Sequence, residues 1–242
     1  MFLLEKFARI LKLASVCLVG FVIVSACSDD KKNPFEAEEI VMFPFLKVGN
    51  VFTYQCDYPV ECGTGYVGDI MKISIDSTSI IDNATMYYGT YTFYARTMAW
   101  YDDGKIDTVY VQTENNIPLF IVRDSVVNFV FAGSLKIPYN SEIGTVVDSM
   151  FNFDNELVYC KFDKIGDYAV YKQTDNYESE RILYKNCFQA GVSCSKNWGQ
   201  GFYSSSAQKI VYSTNYGLIV MSKIFSSPIG SEGSTLSLIE IN

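Results

Sequence analysis

The sequence predicts an all-β protein, built as a single strongly curved antiparallel sheet or an open β-barrel-like meander. Three observations carry this. Aromatic residues make up 15% of the 242-residue chain, with 18 Tyr and 17 Phe, and such residues fit the pleated, half-buried surface of a strand. Short alternating apolar runs recur along the chain, separated by Asp, Asn and Gly turn signals. Nowhere between them stands the helical crossover of about a dozen residues that parallel strands require.

The first element is a targeting segment over residues 1–26. Lys6, Arg9 and Lys12 form a basic start, and 14 uncharged residues follow from Leu13 to Ala26. That length suits the core of a signal peptide, whereas a membrane-spanning helix needs about 20 apolar residues. Residues 27–42 then read as a tether. Asn33-Pro34 and the glutamates behind them suit one helical turn, with Asn33 as N-cap and Pro34 at the first position. Pro44 stops it.

From residue 43 to 242 the pattern is β. Expected strands cover Val51 to Cys56, Tyr66 to Asp76 and Thr85 to Met98. Asp102-Asp103-Gly104-Lys105 reads as a hairpin turn into Ile106 to Gln112. Asn115-Asn116 reads as another turn before Leu119 to Val122. Further strands are expected at Val126 to Phe131, Glu156 to Phe162, Tyr168 to Gln173, Arg181 to Tyr184, Lys209 to Tyr212, Leu218 to Phe225 and Leu236 to Ile241. A hairpin turn is expected at Lys164-Ile165-Gly166-Asp167. About a dozen antiparallel strands curl or close to hide their edges. The stretch Asn186 to Ser206 reads as the longest loop, and long loops are where binding resides.

Composition removes several functions. The chain has no histidine, so Ser-His-Asp and Cys-His catalysis, His-ligated metal sites and histidine pH switching are excluded. Its 19 basic and 27 acidic side chains give a net charge of −8, against the clustered cations of a nucleic-acid surface. Cleavage after Ala26 would leave 16 basic and 26 acidic side chains, net −10.

Candidate chemistry is sparse. Cys17 lies within the targeting segment, and Cys56, Cys62, Cys160, Cys187 and Cys194 are in the β region. An exported chain permits disulfides. The local pairings Cys56–Cys62 and Cys187–Cys194 are preferred among the three that four cysteines allow, each contributing about 2 kcal/mol. Cys160 reads as a buried thiol. Four-thiolate zinc is disfavoured because neither pair has CxxC spacing, and no metal or cofactor is expected. Asp102, Asp103 and Asp107 could hold calcium or form a glycosidase pair, but their ordinary role is to cap a turn. Glu178 and Glu180 are expected to meet solvent. Ser204-Ser205-Ser206 lacks any activating base. Trp100 reads as packing, whereas Trp198, in the glycine-bearing stretch, is the candidate ligand-binding residue.

Four resemblances add to this. Val24-Ser25-Ala26-Cys27 resembles the lipobox of bacterial lipoproteins, which implies that Cys27 becomes an acylated N-terminus handled by lipoprotein processing and sorting machinery. Several acyl chains, at about 0.8 kcal/mol per buried methylene, would hold the chain in a bilayer. Ser28-Asp29-Asp30-Lys31-Lys32 resembles the surface-export signal of Bacteroidota lipoproteins, which implies an outer-membrane anchor facing the cell exterior. Asp76-Ser77-Thr78, Asp107-Thr108-Val109, Asp124-Ser125-Val126 and Asp148-Ser149-Met150 resemble the O-glycosylation sequon of exported Bacteroidota proteins. Phe43-Pro44-Phe45-Leu46-Lys47-Val48-Gly49-Asn50-Val51-Phe52-Thr53-Tyr54 is similar to the "FPLKVGN-x-W-x-Y" opening of uncharacterised secreted or lipidated β proteins. Phe52 stands where Trp is commoner. That resemblance implies a curved antiparallel β fold and brings no activity.

The expectation is a non-enzymatic, lipid-anchored β protein that binds a ligand or shapes the envelope. Its partners would be the membrane, through Cys27, and a glycan or apolar ligand, but no nucleic acid. A lipocalin-like carrier of an apolar molecule is the alternative, and a carboxylate-dependent glycan hydrolase the more distant one. A filled core, an empty apolar cavity and an acidic cleft would tell the three apart.

Overall fold

The computed structural model describes residues 42–57, 69–98, 106–173, 178–200, 202–228 and 230–242. The targeting segment, Cys27, most of the tether, Cys62, Trp100 and the Asp102–Lys105 turn lie outside them. The described residues form twelve strands and one 3-10 turn. The first six strands are β1 (Val51–Asp57), β2 (Asp69–Ile81), β3 (Ala84–Met98), β4 (Ile106–Arg123), β5 (Val126–Phe129) and β6 (Leu135–Pro138). The 3-10 turn Val130–Ala132 sits between β5 and β6. The second six are β7 (Val146–Phe151), β8 (Leu157–Gln173), β9 (Ser179–Gly199), β10 (Phe202–Ser213), β11 (Gly217–Ser227) and β12 (Gly230–Ile241).

All pairings are antiparallel, in the order β6-β5-β4-β3-β2-β1-β12-β11-β10-β9-β8-β7. The expected fold class holds. Two meanders, β1 to β6 and β7 to β12, are joined through their chain ends, where Phe52 faces Ile241 and Tyr54 faces Leu238. Val51 and Asn242 exchange both backbone hydrogen bonds there, at 2.7 and 3.0 Å. The sheet's edges are thus β6 and β7, and their Cα atoms come within 8 Å of each other. The sheet is nearly closed into a barrel.

Local chemistry makes the turns. Asp82-Asn83 and Asp124-Ser125 both take positive φ, 49° and 61° in the first and 50° and 62° in the second. Two successive positive φ values give the tight hairpin that matches strand twist, and Asn and Asp tolerate them. Gly89 faces Ile75, beside a register shift between Ile75 and Ser77. A Cβ there would sit 1.7 Å from the Ser74 carbonyl oxygen, so no side chain fits.

Three expectations are corrected. Asn115-Asn116 is no turn: β4 runs on through it, with Asn116 at φ 54° in an irregular stretch of the β3–β4 ladder. Lys164 to Asp167 does not separate two strands either, because β8 continues through a pair of register shifts. The Asn186–Ser206 stretch belongs to the β9–β10 hairpin, paired from Tyr212↔Phe188 to Phe202↔Gly199.

The interior is aromatic. Phe52, Tyr54, Phe120, Phe129, Phe162 and Tyr212 are each less than 2% exposed. At their centre stands Phe45, supplied by the segment before β1. It stacks on Phe129 with ring centroids 5.9 Å apart and meets Phe52, Phe120 and Tyr212 edge-on at 6.3–6.5 Å. Edge-to-face and offset stacks at such distances suit the ring quadrupole. A tight turn holds the segment in place. Leu46 N–H donates to Phe43 O, Asn50 Nδ2 to Phe45 O at 2.9 Å, and Gly49 N–H to Ile75 O at 2.8 Å. Gly49 sits at φ 96° and Gly217 at φ 78°, and a Cβ on Gly217 would meet the Phe45 ring at 2.9 Å.

Phe45 therefore plugs the lumen. Phe45→Ala should lower the unfolding free energy by about 3–5 kcal/mol, as for other buried Phe truncations, and Phe45→Leu by clearly less. Urea denaturation measures both, and a loss below about 1 kcal/mol for the alanine variant would show that the plug is not integral to the fold.

Candidate functional site

The aromatic filling does not reach both ends of the lumen. Along β10 the inward positions change from Tyr212 and Ile210 to Gln208, Ser206 and Ser204, of which Gln208 and Ser204 are only 5% and 6% exposed. The cross-strand partners of Gln208 and Ser206 on β11 are Lys223 and Phe225. With Met150 of β7 these residues line an open recess of about 370 Å³. This is within the size range of small-ligand sites.

Its charge is one internal pair. Asp148, on edge strand β7, reaches the β10–β11 ladder, where Lys223 Nζ stands 2.9 Å from its Oδ2. Gln208 Nε2 donates to the same oxygen, and Ser149 N–H donates to Oδ1 at 2.8 Å. Partial burial alone would raise the Asp148 pKa. The Lys223 ammonium, the Ser149 N–H and the Gln208 amide outweigh that and hold it below the usual carboxylate value. Both carboxylate oxygens are committed. The recess holds charge without leaving a free acid or base.

The rim is aromatic. Trp198, at the end of β9, is 57% exposed, and its indole N–H donates to Ser204 Oγ at 3.0 Å. Phe153 packs edge-on against Trp198 with centroids 6.5 Å apart and lies 6.2 Å from Phe225. The β7–β8 turn places Phe153: Asn152 Oδ1 accepts from the N–H groups of Asp154 and Glu156 at 2.9 and 2.8 Å, a side-chain-capped turn. Lys196 Nζ lies 4.9 Å from the Trp198 ring centroid and pairs with Asp154.

Trp198 does not itself line the recess: it stands on a strand end, not in a long loop, and is linked to the lining residue Phe225 through Phe153. Asp148, Gln208, Lys223 and Phe153 were not anticipated as site residues. The expected Cys187–Cys194 bridge is excluded by geometry. The two cysteines sit seven residues apart on one continuous strand, roughly 23 Å at about 3.3 Å per residue. A disulfide needs Cα atoms within about 7 Å. Cys56 and Cys160 are buried inward residues. Burial, helped by Asp148 and Asp163, pushes the Cys160 thiol up to about 11, and burial with Asp167 raises Cys187 to about 11. Both are unreactive thiols.

The remaining candidates fall elsewhere. Of the serine run, Ser205 faces the opposite side, beside Ser195. Glu178 and Glu180 are solvent-exposed, and Glu180 faces Lys172 across the ladder. The Asp107 side chain is outside the described residues, as are Asp102 and Asp103. Among the described residues no group of three Cys, Asp or Glu is placed to hold a metal ion.

No protein-family model matches the chain, and no curated protein does. Two solved structures are similar in shape. A "putative exported protein with YmcC-like fold" from Bacteroides fragilis aligns at TM-score 0.43 and 12% identity, over 83% of this chain and 98% of its own. A "putative lipoprotein" from Parabacteroides distasonis aligns at TM-score 0.39 and 9% identity, with the same coverage.

Two outcomes test this description. A carboxylate with a depressed folded pKa adds stability above its unfolded pKa and loses it as pH falls through the folded value. Wild type should therefore be more stable than Asp148→Asn at neutral pH, and the gap should shrink below about pH 4, as read by urea titration at each pH. A constant gap would contradict the pairing. In native protein, alkylation should modify half-buried Cys194 well before Cys160 or Cys187, and peptide mapping that finds equal rates would contradict their burial.

Proposed function

We propose that the protein is a lipid-anchored envelope protein that works by binding and not by catalysis, with its ligand held at the recess beside Trp198. The observation that carries this reading is the Asp148–Lys223–Gln208 group. Glycoside hydrolysis needs two carboxyl groups facing one another across a cleft, one of them able to give up a proton. Here the carboxylate bonded to the lining residues Gln208 and Lys223 is satisfied by three donors, and the lining side chains themselves are Met, Ser, Ala, Gln, Lys, Ile and Phe. Such a lining can accept and donate hydrogen bonds and offer ring faces, as in neutral glycan recognition, without moving a proton. An apolar carrier is supported less, because the Phe45 ring fills the part of the lumen where an apolar ligand would sit.

The anchor belongs to the same reading. The basic start, the uncharged run and Val24-Ser25-Ala26-Cys27 support acylation of Cys27, and Asp29-Asp30 supports an outer-membrane position facing outward. A chain of this net charge would be repelled by anionic lipid headgroups, so attachment has to come from acyl chains. Cys27→Ser should move the protein from the detergent phase to the soluble fraction and abolish labelling by a fatty-acid probe. Equal labelling of variant and wild type would defeat the anchor. Replacing Asp29 and Asp30 with Ala should protect the protein from protease added to intact cells. Unchanged digestion would remove the surface assignment and leave the anchor standing.

A further inference from the structure

A second cleft lies on the other face of the sheet, and its chemistry differs from that of the recess. The β8–β9 ladder shifts register on either side of Gly166, between Phe162 and Lys164 and between Gly166 and Tyr168, and Asn186 takes φ 54° with its N–H donating to Asp167 Oδ1 at 3.4 Å. These irregularities bend the rest of the hairpin, Tyr168–Gln173 paired with Ser179–Tyr184, into an arm. The arm lies over the sheet face that points away from Tyr54 and Tyr212. Two bonds fix it there: Tyr184 Oη donates to Leu238 O at 3.0 Å, and Gln173 N–H donates to Gln55 Oε1 at 3.0 Å.

Register defines what the arm covers. On that face Val211 and Val220 stand beside Ser237 and Gln55, and the next row is Lys209, Ser222 and Thr235. Val211 and Val220 are 0% and 4% exposed, and Val170 of the arm is 4% exposed. The arm has an apolar seat. Away from that seat the covered surface is polar, and a crevice of about 430 Å³ remains between arm and sheet. Lys209 is exposed and Ser222, Thr235 and Ser237 are half-buried, so the polar groups of the crevice stay within reach of water or of a ligand.

The crevice's charge is one-sided. Lys209 Nζ stands 4.6 Å from the Tyr168 ring centroid, and among the described residues no carboxylate pairs with it. No Asp or Glu lines the crevice. In a chain of net charge −8 this is a local positive spot, whereas Lys223 in the recess is neutralised by Asp148. Around Lys209 are the mutually bonded Ser222 and Thr235 hydroxyls, 2.8 Å apart, and Ser237. A single ammonium selects one negative charge, because a second would sit uncompensated in an acidic protein. The hydroxyls and Tyr168 suit a ligand bearing hydroxyl groups and a ring.

We propose that the crevice between the β8–β9 arm and the outer face of β10–β12 binds a small monoanionic polyol, a sugar acid being the simplest case. Its carboxylate pairs with Lys209, and its hydroxyls exchange hydrogen bonds with Ser222, Thr235 and Ser237. The site is separate from the Trp198 recess and stands or falls independently of it.

The test is calorimetric titration of the full chain in detergent micelles with glucuronate, glucose and acetate. Glucuronate should bind at least tenfold more tightly than either of the others, since it alone offers both the charge and the hydroxyls. Lys209→Gln should remove that preference, Lys209→Arg should keep it, and Lys223→Gln should leave it unchanged. Ser237→Leu, which fills the crevice without touching the charge, should lose glucuronate as well, so the outcome does not rest on one variant. No binding of glucuronate, equal affinity for all three probes, or loss on Lys223→Gln but not Lys209→Gln would each overturn the site.

Discussion

The pairing of the first strand with the last is the constraint on which the rest of the structure depends. Every other ladder in the described sheet joins strands consecutive in sequence, and a hairpin forms those locally. Only β1 and β12 must find each other across the chain, and the loop-closure entropy of that encounter favours neither partner until side chains meet. Tyr54 supplies the meeting point. Its ring packs on Phe131, 5.6 Å between centroids, and its hydroxyl donates to Leu218 O, 164 residues onward, at 3.1 Å. Complete burial raises its pKa strongly, with Tyr184 adding to the shift, so this hydroxyl keeps its proton and donates across the whole working pH range. Phe45 then completes the same centre by touching rings from β1, β4, β5 and β10. Closure and plug are one event. A sheet left open between β1 and β12 has no chamber for Phe45.

Closure also decides what each face can do. On the inside, the aromatic part is filled around Phe45, and the polar part lined by Gln208, Lys223 and Phe225 is open. The Asp148 pair spans from edge strand β7 to β10 and β11, and so ties down an edge that its neighbour β6 does not ladder with. Free edges invite pairing with other chains, and the cross-lumen ion pair is one means of keeping β7 in register. Pairs of this kind add specificity more dependably than stability, because removing two charges from water offsets much of their attraction.

Much of the fold was legible in the sequence, and the places where it was not share one cause. Met71, Ile73 and Ile75 alternate with Lys72 and Ser74, and such runs announce strands with one dry face. Leu218 to Phe225 and Val51 to Cys56 were equally plain. The β9–β10 hairpin reads as a loop in the sequence because its inward residues Lys196, Ser204, Ser206 and Gln208 are polar. A strand whose inner face lines a wet recess loses the alternation that would reveal it. The property that makes this end of the lumen a candidate site is the one that hid it. Trp198 could be picked out by its type, but the Asp148–Lys223–Gln208 group could not, since its members lie on three strands up to 75 positions apart. Gly166-Asp167 misled in another way: turn residues also make bulges, and only the pairing beyond them tells the two apart.

That bulge is what gives a single sheet two separate clefts. Had β8 and β9 run straight past Gly166 and Asn186, their distal halves would project as a bare two-stranded ribbon, which is marginal in water. Bent over, the arm buries Val170 on the side that carries Val211 and Val220, and it is secured by the buried bond from Tyr184 to Leu238 and by Gln173 N–H to Gln55. Burial first, then Tyr216 and Cys187, raise the Tyr184 pKa, so the phenol remains a donor in mild alkali and the latch stays closed. The crevice beneath is therefore held at fixed width by an apolar seat and a neutral hydrogen bond. Neither weakens with salt, which screens only the Lys209 charge that faces the ligand. Any ionic-strength dependence of binding there would report on the ligand's charge and not on movement of the arm.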